Sequence, residues 1–367
     1  MTKEYSIAVL PGDGIGKEVI PAGIKVLKTV ESLVGNYSLK LEEYPWGTEY
    51  YLQHKRMMPA DGLKRLEKYN AIFLGAVGMA EYVPDHITLW EFLLPIRKSF
   101  DQYINLRPTR LLPGVKGPLR DKAPEDIDFL VVRENTEGEY SGVGGRVHNH
   151  TSHEVAIQTS VFTRMGVERV MRYSFELARQ RPRKKLTSVP KSNACQYSMV
   201  FWDEVFSELC PQYPDIESEK AHVDALAARF VNRPETLDVV VASNLFGDIL
   251  TDLGGAIQGS LGMAASANIN PEKRFPSMFE PVHGSAPDIA GKGVANPIGT
   301  VWAGSMMLDF LGEGEAARLV MEAILKTVVE QKKLTRDLGG SASTSEVTEE
   351  ICKNLLEIAG KEKQAGL

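Results

Sequence analysis

With 367 residues, 43% of them hydrophobic and 25% charged, the chain has the make-up of a globular protein and length for two ordinary domains or one large α/β unit. A net charge of −6 argues against nucleic acid or an anionic membrane as the principal partner, while leaving room for a small anionic substrate gathered by local arginines. Three cysteines without C-x-x-C spacing give no disulfide framework, no stretch nears the roughly 20 apolar residues of a membrane span, and the N-terminal apolar run is too short for a signal peptide; a cytoplasmic protein is expected.

In chain order, Ser6-Ile-Ala-Val-Leu10 reads as a strand, Pro11-Gly-Asp-Gly-Ile-Gly16 as a glycine loop, and Glu18 to Val34 as a helix. Ala71–Val77, Ile127–Val132 and Leu237–Ala242 read as further strands. Strands alternating with helices predict a largely parallel sheet and an α/β fold. From Glu134 to His153 the pattern turns to glycine, histidine and polar residues, followed by Glu154-Val-Ala-Ile-Gln-Thr-Ser160, which suggests an extended arm or hairpin. Amphipathic helices are expected over Glu313–Gln331 and Glu346–Ile358. The loop Gly12-Asp-Gly-Ile-Gly16 lacks the G-x-G-x-x-G spacing of a dinucleotide fingerprint, because position 17 is lysine; a turn needing positive φ accounts for its glycines.

The most informative local feature is Ser243-Asn-Leu-Phe-Gly-Asp-Ile-Leu-Thr-Asp252. It follows a valine-rich buried strand, and Asn244 is expected to cap a helix beginning near Leu245. On that helix Asp248 and Asp252 share a face, and two like charges so placed destabilise it unless a cation lies between them. Carboxylates without histidine or cysteine favour Mg²⁺ or Mn²⁺. An arbitrary Asp-x3-Asp is more often a solvated face, but this pair sits just after a strand, where ligand crevices of α/β sheets form. A second dense stretch, Phe279 to Pro297, crowds glycines and prolines around Asp288, an acid suited to a ribose diol; it reads as a binding loop more readily than as a plain connector.

Together, Pro11–Gly16, Arg133-Glu-Asn-Thr-Glu-Gly-Glu-Tyr140, Ser243–Asp252 and His283-Gly-Ser-Ala-Pro-Asp-Ile-Ala-Gly291 resemble the isocitrate/isopropylmalate dehydrogenase family, decarboxylating β-hydroxyacid dehydrogenases, over nearly the whole chain. Thr88-Leu-Trp90, Phe100-Asp-Gln-Tyr103 and the stretch from Trp302 to Leu311 most resemble its tartrate dehydrogenase/decarboxylase and D-malate dehydrogenase branch. The resemblance implies a two-domain isopropylmalate-dehydrogenase-like fold, distinct from the Rossmann fold, with a central cleft. Residues 1–104 plus 259–367 would form an NAD-binding terminal domain, and residues 105–258 a middle domain whose arm, near 137–158, builds a homodimer. His148, His150 and His153 then read as solvated arm residues.

The same resemblance implies roles for single residues. Arg97, Arg107 and Arg133 would hold substrate carboxylates, with Trp90 shortening the pocket toward a four-carbon diacid; Glu91 departs from the glycine usual in that branch. Tyr140 and Lys191 would be the acid and base, and Asp224, Asp248 and Asp252 the metal ligands, with Lys191 and Asp224 reaching in from the neighbouring subunit. The cofactor contacts would be Asn193, Glu280, His283, Gly284, Ser285, Ala286, Asp288 and Asn296. Asp288 would favour NAD over NADP, since a carboxylate repels a 2′-phosphate. Mn²⁺ or Mg²⁺ is implied, and K⁺ is admitted as an activator by family analogy alone. The implied reaction is oxidation and decarboxylation of tartrate or D-malate; 3-isopropylmalate as substrate and a non-catalytic regulatory subunit are the alternatives, the latter opposed by the presence of Tyr140, Lys191 and all three aspartates.

Overall fold

A computed structural model describes residues 2–365. The chain divides into two compact units, one of Met1–Gln102, Arg110–Pro124 and Gly255–Leu367, the other of Tyr103–Thr109 and Glu125–Gly254.

In the first unit the strands run in the order Tyr37–Glu43, Lys3–Gly12, Ala71–Ala76, Ser277–Pro281, Ala265–Ile269. Neighbours are parallel except the last pair. Ala71–Ala76 is buried along its whole length, as a strand covered on both faces must be. The helix Gly16–Val34 buries Val19, Ile20, Gly23, Val26, Leu27 and Val30, a stripe at helical spacing, and packs on the helices Ile298–Leu311 and Thr344–Ala365. It stops at Gly35, whose φ of 72° suits glycine and whose N–H returns to the Glu31 carbonyl. The last helix begins at Thr344, two residues ahead of expectation. Ser343 and Glu346 bond each other's backbone N–H groups at 3.2 and 2.9 Å, a reciprocal cap that fixes the start.

The glycine turn packs backbone against backbone. A Cβ on Gly14 would lie 2.0 Å from the Ser285 carbonyl oxygen, and one on Gly12 2.0 Å from that of Ala76. Between them Asp13 is buried, accepting bonds from the Thr48 amide and hydroxyl at 2.8 Å each and from the Gly78 amide at 2.9 Å. The turn is thus a junction of three loops.

In the second unit the strands lie in the order Ile104–Arg110, Asp128–Glu134, Val239–Ala242, Lys185–Val189, Glu217–Lys220. Val239–Ala242 is paired in parallel on both sides and wholly buried. The expected arm is a separate two-stranded ribbon, Gly138–Val147 against Val155–Val161, antiparallel with a register shift between Gly138 and Val143. His148 and His150 form its tip with positive φ, and His153 stands exposed beside them.

Candidate active site

The helix Asn244–Ile257 starts where the buried strand Val239–Ala242 ends, and it carries Asp248 and Asp252. Ala242 lies in register with Arg133 on the neighbouring strand, which brings the Arg133 side chain onto the first turn of the helix. There Arg133 crosses at Gly247: a Cβ at 247 would stand 2.6 Å from the Arg133 Cβ. The guanidinium, buried, donates through Nη1 to Asp248 and through Nε and Nη2 to Asn244 Oδ1 at 3.0 and 2.7 Å. Arg107, also buried, donates to Thr251 Oγ at 2.6 Å and stands 3.5 Å from Asp248 Oδ1. Tyr140 completes the group, its hydroxyl donating to Asp248 Oδ2 at 3.1 Å with the Arg133 guanidinium 5.6 Å from its ring.

Asp252 lies one turn on. Partial burial raises its carboxyl above the usual range, an effect opposed by Arg107, reinforced by Asp248 and opposed again by Arg133. Two hard carboxylates on one face, one of them reluctant to ionise, form a donor set that suits a divalent cation. Among the described residues no group of three or more His, Cys, Asp or Glu closes on a point. Asp224 instead accepts a bond from Lys191 Nζ at 2.8 Å, and this lysine holds its carboxyl below the usual range. Lys191 and the exposed Asn193 occupy the turn after the strand Lys185–Val189, while Asp224 sits in the first turn of the helix Val223–Asn232.

The first unit holds the remaining candidates. Trp90, 40% exposed, lies in a wide helical turn, Leu89–Leu93, with Lys98 Nζ 4.9 Å over its ring. Arg97 is buried and donates to Glu280 Oε1 at 2.9 Å, an oxygen that also accepts from Asn268 at 2.7 Å. Glu280 is therefore the fixed counter-charge of Arg97. After it, the loop from Val282 to Asn296 rests on the glycine turn: the Ser285 hydroxyl donates to the Gly78 carbonyl, and the Ser285 carbonyl accepts from the Ile15 amide at 2.8 Å. Ala286 has a φ of 41°. Gly284, Gly291 and Gly293 face open space, and Asp288 is exposed. The His283 ring nitrogen Nε2 is buried without a partner, and desolvation pushes its pKa down. Asn296 closes the loop, donating to Asp337 at 2.9 Å and accepting from the Ile298 amide at 3.0 Å. An open glycine rim with an orphaned polar nitrogen fits an extended polar ligand such as a dinucleotide.

The model of the isocitrate/isopropylmalate dehydrogenase family matches residues 6–351. The chain belongs to that family. It is 56% identical over 361 residues, 97% of its length and the whole of the other, to D-malate dehydrogenase [decarboxylating] of Escherichia coli K12. Tartrate dehydrogenase/decarboxylase of Pseudomonas putida is 50% identical over 357 residues, 96% of this chain and 98% of that one. Among solved structures, isocitrate dehydrogenase from Methylococcus capsulatus matches with a TM-score of 0.85 at 33% identity, over 96% of this chain and 99% of that one. This dehydrogenase has no helix, among its described residues, long and apolar enough to cross a membrane.

The pairing of Arg97 with Glu280 has a measurable consequence. Removing the carboxylate strands a buried guanidinium, so Glu280→Ala is expected to cost about 3–5 kcal/mol of stability in urea unfolding, and Glu280→Gln less. A loss under about 1 kcal/mol would mean the pair behaves as a surface contact.

Proposed function

We propose that this enzyme oxidises and decarboxylates a small 2-hydroxy diacid, D-malate or tartrate, using NAD⁺ and Mn²⁺ or Mg²⁺; D-malate would yield pyruvate, CO₂ and NADH. The observation that carries this reading is the convergence of Arg107, Arg133 and Tyr140 on Asp248, in a chain about half or more of whose residues are shared with decarboxylating relatives acting on such acids.

Asp248 and Asp252, with Asp224 of a second copy, would hold the divalent ion, and the loop from Glu280 to Asn296 with Asn193 would hold the dinucleotide. When bound, the ion polarises the substrate's oxygens and NAD⁺ accepts hydride from the hydroxyl-bearing carbon. Arg107 and Arg133 bind carboxylate through planar forks that lysine could not offer, and Arg97 is assigned the same task. Lys191 Nζ takes the hydroxyl proton, and Tyr140 returns a proton to carbon after CO₂ has left. Arg133 and Tyr140 both contact Asp248, so substrate carboxylate and cation together replace contacts already made, and the groups need little reorganisation. Asp288, exposed and acidic, accepts from the ribose hydroxyl of NAD and repels the phosphate of NADP. Trp90 limits the length of the acid.

Two observations support a homodimer with shared sites. The arm is an isolated ribbon exposing Val143, Val147, Val155 and Ile157, and such ribbons gain stability from a partner. Lys191 and the exposed Asp224 are bonded to each other, so they would enter a neighbour's site as one unit.

A substrate panel tests the reaction: with NAD⁺ and Mn²⁺, kcat/KM for D-malate or a tartrate should exceed that for isocitrate and 3-isopropylmalate by at least about 10-fold. Preference for either of the larger acids would reassign the substrate. Complementation tests the shared site. Mixing inactive Lys191→Ala and Tyr140→Phe chains should restore activity in the mixed dimers, whereas verified mixed dimers with none would place Lys191 and Tyr140 in the same chain's site.

A further inference from the structure

We propose that Asn244 is a positioning residue that fixes how Arg133 meets the substrate; this rests on the reading of Arg133 as a carboxylate contact. Asn244 is buried and its carboxamide makes tertiary bonds at both its oxygen and its nitrogen. Oδ1 accepts from both Nε and Nη2 of Arg133, and Nδ2 donates to the Glu137 carbonyl at 3.1 Å. The amide is thus strung between two points, and its orientation is set before any ligand arrives.

The consequence lies in which edge of the guanidinium it occupies. Nε and Nη2 form the side-on edge of the fork, one of the two that can take a carboxylate with paired hydrogen bonds. Asn244 takes that edge with a single neutral oxygen. Nη1 points to Asp248 on the next turn, and Gly247 lets the arginine stem cross between the two residues. A substrate carboxylate bound by Arg133 therefore approaches the Nη1–Nη2 end, on the side of Asp248. Rotation of the guanidinium would instead let Arg133 close on Asp248 with two bonds, engaging more of the guanidinium and more of the carboxylate needed for the cation.

The chemistry of the amide matters as much as its place. Asn244 and Asp248 are four residues apart and share a helix face with Asp252. An aspartate at 244 would present the same shape with a third negative charge on that face. It would pair directly with Arg133 and would set an oxygen against the Glu137 carbonyl. A neutral acceptor orients the arginine without adding an anion to that face. Thr251 stands in the same relation to Arg107: its hydroxyl accepts from Nη1 while donating to the Gly247 carbonyl at 2.7 Å.

The test is steady-state kinetics with D-malate, NAD⁺ and Mn²⁺, supported by calorimetric titration of D-malate into the enzyme with NADH and Mn²⁺. Asn244→Ala should raise the KM and Kd of D-malate about 10- to 100-fold, the loss expected when hydrogen bonds to a charged group are removed. The KM of NAD⁺ should stay within about 2-fold, because the change falls on uniform binding of one substrate. Asn244→Asp is isosteric and carries the same measurement if the alanine variant does not fold; it should also weaken D-malate. Unchanged D-malate affinity in the folded variant would overturn the proposal, as would a parallel loss in both substrates, the mark of general damage. Arg133→Ala separates the two levels: if it leaves D-malate affinity unchanged, the reading of Arg133 itself fails, and if it alone weakens D-malate, only the role of Asn244 fails.

Discussion

The repulsion between Asp248 and Asp252 is the constraint around which the second unit is arranged. Four residues apart on one helix, their Cβ atoms lie about 5–6 Å from each other, and neither has a cation on its own turn of the helix. The answering charges come from elsewhere: Arg133 from the neighbouring strand and Arg107 from the strand beyond it. Both arginines are buried, and each is held by a neutral side chain of the same helix, Asn244 or Thr251. One face of the helix therefore carries the anions and also orients the cations that tolerate them. In the proposed reaction a carboxylate ligand and a divalent ion would together replace these internal partners sign for sign.

The first unit solves a different problem with different means. Its loop from Val282 to Asn296, proposed to hold the dinucleotide, is fixed from below. Ile15 and Gly78 bond Ser285, while Asp337 and the first turn of a helix hold Asn296. Asp13 ties the supporting turn to two further loops. At Gly284, Gly291 and Gly293 the rim above presents bare backbone to open space.

Much of the fold was legible because its signals are local. Short apolar runs marked Ala71–Ala76 and Val239–Ala242, helical spacing marked Gly16–Val34 and Gly314–Glu330, and the change to glycine and polar residues after Glu134 marked the ribbon. The pairing of Asp248 and Asp252 on one face was also readable from spacing alone. Expectation failed at Asn244. As a polar residue before an apolar run it reads as a helix cap, yet Gly247 N–H already bonds the Ser243 carbonyl at 2.8 Å, placing Asn244 inside the first turn. Its side chain turns to an arginine 111 positions away. Arg97 and Glu280, 183 positions apart, carry separate expected roles as substrate and cofactor contacts, and the fold brings them together as an ion pair. Such partnerships arise where strands distant in sequence become neighbours, and no local pattern announces them.

Asp248 and Asp252 are proposed as cation ligands rather than members of an internal ion-pair network. Direct titration of Mn²⁺, following the free ion by electron paramagnetic resonance, separates these roles without reference to turnover. The wild-type enzyme should bind one Mn²⁺ per chain, and folded Asp248→Asn and Asp252→Asn should each weaken that binding by at least about 10-fold. Undiminished Mn²⁺ binding in both variants would contradict the account.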